Sequence, residues 1–467
     1  MMRASFFFAC ALLVAQMGHG AMAQSTAADP GLVEQGRYLA TAGDCASCHS
    51  TSFAGGDPVP SPIGSIYAAN ITPDKETGIG SWTLGQFADV MRKGQAPDGP
   101  LYPAMPYTSY TGLSTNQIQA LYSYFMLGVA PVSNRPRETN LPFPFYRPMM
   151  ALWNALFLDE GHSTGSIDVT GDAKQRGRLL VETLGHCAAC HTPRGELMQQ
   201  NSKRHLAGAM VGGWWAPNIT PDSSGIGGWS NELLSTFLTT GHTDVALAAG
   251  DMGKVVSHSL SKLSKEDISA ISVYLRAVPA VASDEPKRTV DANNSANQVT
   301  LIEPVGSTDW QAMLGHSTTQ GDILFQGACA SCHSVDGKGS SDLKHPSLLR
   351  IASIRGPKGA TLVQVIAHGV DRKVGDKHTL MPSFRASMDD AQIASLSNYV
   401  RTKFGGVEGG VNASQVATIL AGQVETPWLI RNAKWLAILT IVVATLVILV
   451  IAWAGIRAFG HRGAGRA

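Results

Sequence analysis

Hydrophobic and polar positions follow three different patterns along this chain of 467 residues. At the start, one positive charge at Arg3, an apolar stretch from Phe6 to Ala15 and the small residues Ala21 and Ala23 form a secretory signal over residues 1–23, so the mature chain is expected to begin at Gln24. Cys10 lies inside that apolar stretch rather than just after it, which argues against a lipoprotein signal. At the other end, Trp435 to Ile456 runs without a charged residue, long enough at about 1.5 Å per residue to cross a hydrocarbon core of about 30 Å. Trp435 and Trp453 stand where interfacial aromatics belong. Arg457, Arg462 and Arg466 follow with no acidic residue among them, which predicts a transmembrane helix over 435–456, a cytoplasmic tail over 457–467 and everything earlier on the periplasmic side.

Between the ends the period is helical. Amphipathic stretches run from Leu32 to Ala42, Lys174 to Leu184 and Thr319 to Gln326, and later ones from Ser114 to Leu127, Ser264 to Val278 and Asp389 to Phe404. The later three carry matched apolar residues at i, i+3, i+6: Ile118, Leu121, Tyr124; Ile268, Ile271, Tyr274; Ile393, Leu396, Tyr399. That face reads as core, packing each late helix against the early one of its unit. Proline-rich or polar stretches, Pro131 to Pro148, Val278 to Asp309 and Gly405 to Pro427, read as linkers or packing arms.

Charge excludes one class of partner. With 36 Lys and Arg against 35 Asp and Glu the net charge is +1 and no basic stripe appears, so nucleic acid is not expected. The six cysteines after the signal all fall in Cys-x-x-Cys-His frames: Cys45 and Cys48 before His49, Cys187 and Cys190 before His191, Cys329 and Cys332 before His333. Two thiols at this spacing reach the two vinyl groups of one porphyrin while the next residue offers an imidazole to the iron, the attachment signature of c-type haem. Zinc would need a second ligand pair beside each frame, and none accompanies them. The first cysteines are 142 residues apart in both intervals. Asn70-Ile71-Thr72-Pro73-Asp74 reappears as Asn218-Ile219-Thr220-Pro221-Asp222, so units one and two are duplicates and unit three a more distant copy.

The sixth iron ligand separates a closed electron carrier from an open iron that binds small molecules. Met105, between Pro103-Ala104 and Pro106, is the candidate in unit one, and Met381, before Pro382, in unit three. Met252, read as lying in a flexible loop from Ala248 to Gly253, is the candidate in unit two, with His258 as its rival. Met126 and Met388 belong to the late helices and read as packing residues, and His186 as a neighbour of the haem edge. No catalytic residue is expected, since no dinucleotide fingerprint, nucleophile elbow or metalloprotease motif occurs.

With these motifs in view, the chain resembles the three-haem cytochrome c subunit of the membrane-bound periplasmic dehydrogenases of acetic acid bacteria and their relatives. Gly36-Arg37-Tyr38-Leu39-Ala40, the three frames, the Tyr102-Pro103-Ala104-Met105-Pro106-Tyr107 turn, the repeated Asn-Ile-Thr-Pro-Asp segments and the C-terminal apolar span carry the likeness. It implies an all-α chain of three tandem class I cytochrome c domains, at 24–130, 173–280 and 319–405, plus one C-terminal transmembrane helix, with linkers at 131–172, 281–318 and 406–434. It also implies three covalent haem c groups and electrons received from a separate catalytic subunit of quinoprotein, flavoprotein or molybdenum type that oxidises alcohols, aldehydes or sugars. A further small subunit is compatible with such a complex. The acceptor implied is ubiquinone in the bacterial inner membrane. An independent carrier feeding a terminal oxidase, and a peroxidase-like haem enzyme, are the competing readings.

Overall fold

The computed structural model describes residues 29–159, 172–283, 320–340, 345–349, 351–422 and 426–463. The signal segment lies outside them, as does most of the second expected linker.

The first unit opens with α1 (Pro30–Ala42), started by Asp29, whose carboxylate accepts the amide of Gly31, and by proline at the first helical position. The frame itself forms the single turn α2 (Cys45–His49). The hairpin β1 (Pro58–Ser61) and β2 (Gly64–Tyr67) leads to α3 (Leu84–Lys93), which starts in a Thr83/Gln86 capping box and stops at Gly94 in the left-handed region. A second small hairpin, β3 (Gln95–Ala96) and β4 (Gly99–Pro100), precedes α4 (Tyr107–Tyr110) and α5 (Thr115–Ser123), which runs on through a π turn over Tyr124–Gly128. The proline-rich arm then folds back on this unit: Leu141 is buried, Tyr67 donates its amide to Thr139, and Asn134 donates to the Ala54 carbonyl. It ends in α6 (Met150–Phe157).

The second unit repeats the plan with α7 (Ala173–Arg178), its π continuation over Leu179–Leu184, the frame turn α8 (Ala188–His191), the hairpin β5 (Ala209–Val211) and β6 (Trp214–Ala216), α9 (Asn231–Thr240), α10 (Gly250–His258) and α11 (Lys265–Ala277). The third consists of α12 (Gly321–Ala328), α13 (Ala330–His333), α14 (Ala360–His368), the hairpin β7 (Val370–Val374) and β8 (Lys377–Met381), and α15 (Asp390–Lys403). The four hairpins among the described residues are antiparallel and two-stranded, so the molecule is mostly helical rather than purely so. The stretch read as the third linker is more than a tether: α16 (Ala413–Leu420) buries Val416 and Ile419 in the core of the third unit.

In every unit the early helix crosses the late one at a glycine. A Cβ on Gly36 would lie 1.9 Å from the Ala120 carbonyl oxygen, on Gly177 2.0 Å from that of Ala270, and on Gly321 2.4 Å from that of Ser395. The backbones touch there, and the apolar triplets of α5, α11 and α15 close around the crossing, with Ile118, Leu121, Ile268, Ile271, Ile393 and Leu396 all buried. Units one and two share one continuous apolar core, whereas unit three has its own. Polar contacts complete both junctions. Tyr38 donates to Asp267, which also accepts from Arg176 at 2.7 and 2.8 Å, and the buried Arg372 guanidinium donates to the Ala248 carbonyl.

The last helix, α17 (Trp428–Gly463), begins seven residues before the predicted span. Its apolar portion, Trp428–Ala454, is 27 residues long and unburied, about 40 Å of helix. Lys434 lies over the Trp435 ring at 5.6 Å and Arg457 over that of Trp453 at 3.9 Å, which puts a cation–aromatic pair near each end of the span.

Candidate haem-binding sites

Each frame turn delivers its imidazole in the same way. The Nδ1 of His49 is 2.7 Å from the Ala69 carbonyl oxygen, that of His191 2.6 Å from Pro217, and that of His333 3.0 Å from Pro346. A carbonyl only accepts, so Nδ1 carries the proton in all three rings and the Nε2 lone pair is left for a metal. This is the outer-shell bond that orients metal-ligating histidines generally. Burial pulls the His49 and His333 imidazoles below their ordinary value, against the opposing pull of these carbonyl bonds, which keeps the rings neutral.

The thiols behave as a second consistent set. None of the six forms a disulfide; the second of each pair is exposed, and the first is half-buried or, for Cys329, buried. Burial pushes Cys45, Cys187 and Cys329 up to about 12. Among the described residues no group of three His, Cys, Asp or Glu is placed to hold a metal ion. Paired thiols, an adjacent imidazole with a free Nε2 and an apolar surround fit a covalent porphyrin.

The methionines separate by position. Met91 and Met388 are buried in the cores and serve as filling, whereas Met126 and Met105 both pack partly buried against the first core, Met126 from the end of the late helix. Met105 occupies the turn before α4, half-buried, with its amide donating to Tyr102 and its carbonyl accepting from Tyr107. Met381 ends β8, half-buried and paired with Val370. Met252 departs from expectation: it lies in the first turn of α10, because Gly250 in the left-handed region starts a helix where glycine-rich sequence suggests a loop. Its rival His258 ends the same helix, with Nδ1 3.1 Å from the Ser47 hydroxyl, inside the first unit's frame.

That contact has a counterpart. The ring of Tyr110, five residues after Met105, meets His186 edge-on at 5.9 Å, one residue before Cys187. Segments that follow the methionine of one unit thus lie on the frame of the other, in both directions. The junction of the shared core is built from the two haem-binding segments themselves. Asp44 and Asp251 lie there beside Cys48 and Cys190, with the Ser47 hydroxyl donating to Asp44.

Several working residues escape a reading of motifs. The acceptors Ala69 and Pro217 directly precede the repeated Asn-Ile-Thr-Pro-Asp segments, so the repeat was the signal that marks them. Its asparagine explains the rest: Asn70 donates to the Val132 carbonyl at 2.8 Å and Asn218 to that of Val281 at 2.8 Å, tying down the chain just past each late helix. In unit three, which lacks the segment, Asn398 donates to the Val411 carbonyl at 2.7 Å and buried Arg401 holds the carbonyls of Ile354 and Gly356.

The sequence pattern of the family described as cytochrome c matches residues 33–127, 175–279 and 319–403. The chain is 40% identical to the fructose dehydrogenase cytochrome subunit of Gluconobacter japonicus, over 85% of this chain and 84% of that one. It is 37% identical to the gluconate 2-dehydrogenase cytochrome c subunit of Pantoea cypripedii, over 88% and 94%. It is 32% identical to the cytochrome c subunit of the quinone alcohol dehydrogenase of Gluconobacter oxydans, over 93% and 92%. The chain belongs to the cytochrome c family, with three such domains that imply covalent haem c, and to the group of cytochrome subunits that serve dehydrogenases by electron transfer.

Proposed function

We propose that this member of the cytochrome c family takes electrons from a periplasmic dehydrogenase subunit that oxidises an alcohol, aldehyde or sugar and delivers them to ubiquinone. The observation that carries this reading is the likeness, over more than four fifths of both chains, to cytochrome subunits named for fructose, gluconate and alcohol dehydrogenases. Bound haem supplies an iron that gains or loses one electron. The chain's residues do the remainder. Cys45, Cys48, Cys187, Cys190, Cys329 and Cys332 would hold three porphyrins by thioether bonds; His49, His191 and His333, aimed by their carbonyl partners, would offer Nε2 to the iron; Met105, Met252 and Met381 would be the second protein ligands that exclude small molecules. The cytochrome domains extend over 24–130, 173–280 and 319–405, and α17 anchors them to the inner membrane from the periplasmic side.

Affinity isolation from native membranes tests this. A dehydrogenase subunit, identified by mass, is expected at fixed ratio with this chain, and haem stain should stay with this band after denaturation. Isolation with a terminal oxidase, or with no partner, would contradict the reading.

A further inference from the structure

Helix α6 is built inside out. Its one polar side chain, Asn154, turns inward, donating to the Lys93 carbonyl at 3.1 Å and accepting the Tyr107 hydroxyl at 2.7 Å. Its exposed positions are all apolar: Ala151, Leu152, Ala155 and Leu156, continued upstream by Met149. Leu152 is 58% and Leu156 61% exposed, and with Met149 they form a stripe at i, i+3, i+7. A contiguous apolar stripe facing water is uncommon on a soluble surface and marks contact with a protein or a membrane.

The neighbour decides which. The indole Nε1 of Trp153 in α6 donates to the Leu197 carbonyl at 2.8 Å. The preceding residue, Glu196, accepts the amide of Leu429 in the first turn of α17 at 3.1 Å. One dipeptide therefore joins α6 to the point where α17 leaves the haem-binding body, and Leu197 and Trp428 extend the exposed apolar surface there. Leu429 stands six residues, about 9 Å of helix, before Trp435. The headgroup layer adds about 5–7 Å to each face of the hydrocarbon core. Leu429 thus stands at the outer edge of the headgroup layer, and the apolar face of α6, tied to it through Glu196 and Leu197, lies within reach of the depth where interfacial helices bury such faces.

We infer that α6 is a second membrane contact, an interfacial helix whose Met149, Leu152 and Leu156 face enters the outer leaflet beside α17. This rests on the proposed anchoring by α17. It fixes the tilt of the body, which one spanning helix alone does not.

The test uses the full chain with its haems in vesicles of phosphatidylethanolamine and phosphatidylglycerol that carry a phospholipid with a diazirine high on its acyl chain. After illumination, adducts are mapped by peptide mass. Adducts on 149–156 as well as on α17 are expected, with those on 149–156 lost in Leu152→Asn/Leu156→Asn and those on α17 kept. Because both leucines are exposed, the variant should keep its haem spectrum. Adducts on α17 alone would overturn the inference while leaving the anchor intact. Adducts on neither segment would overturn the anchoring reading itself.

Discussion

A glycine at each helix crossing does work that no motif advertises. Gly36, Gly177 and Gly321 lie eight to ten residues before their first cysteines, and a methyl group on any of them would run into a backbone carbonyl that cannot move without separating the helices. Gly36→Ala is expected to destabilise the first unit by about 1–3 kcal/mol, the usual range for overpacking, read from denaturant midpoints followed at the haem band. An unchanged midpoint would mean that the two helices are not in contact. The Cys-x-x-Cys-His frames stand out in the sequence because covalent attachment of a porphyrin would leave no freedom in their spacing. The crossing glycines and the carbonyls of Ala69, Pro217 and Pro346 do not, since a backbone contact makes no demand that one sequence displays.

Asp44 supplies a pH test. Burial pushes its carboxyl up to about 7, against the downward pull of the Ser47 hydroxyl and of Lys262, while Asp251 adds to the rise and Lys254 opposes it. His258, on the same Ser47, is held low by burial. The folded value of Asp44 lies above the ordinary one near 4, so protonation favours the folded state. Its stabilising contribution is complete below about pH 4 and is lost as pH rises through about 7. Asp44→Asn is therefore expected to flatten the decline in stability over that window, measured as denaturant midpoints at several pH values. Parallel curves for variant and parent would contradict the assignment.

At the scale of elements, the helices with a sustained period were readable and the short pieces were not. The late helices begin where expected, at capping boxes formed by Ser114 with Gln117 and Asp389 with Gln392, and at Ser264. The four hairpins among the described residues went unseen because strands of two to five residues are too short to give a countable alternation. Met252 shows the same weakness in reverse: Ala248, Ala249, Gly250 and Gly253 around it look like a loop, yet α10 buries Gly253 and Val256 and becomes a helix. The three methionines thus sit on a proline-stiffened turn, a helix and the end of a strand. Met105→Ala or Met381→Ala is expected to remove about one third of the Met-to-iron charge-transfer absorption and to open one iron to carbon monoxide. Stoichiometric carbon monoxide binding by the reduced parent protein would show that the irons are not closed. Supports this different should also separate the potentials, so that a redox titration needs more than one midpoint.

For the whole molecule, three domains and an apolar C-terminal helix were legible from frame spacing and charge, but their arrangement was not. The shared core of units one and two depends on residues such as Tyr38, Tyr110 and His258, each ordinary within its own repeat and meaningful only beside the other. Among the described residues, deleting 428–467 removes no core residue of the three units. The shortened chain is expected to keep its three haems and to leave membranes in alkaline carbonate, whereas the full chain stays. Retention of the shortened chain would place the anchor elsewhere.

The role in electron transfer is tested most directly by following the haem spectrum of the complex isolated from native membranes as candidate substrates, alcohols, aldehydes and sugars, are added one at a time. One substrate class is expected to reduce the haems of this chain, and a soluble ubiquinone analogue to reoxidise them with substrate still present. Haems that stay oxidised while the dehydrogenase subunit turns its substrate over would show that the electrons bypass this chain.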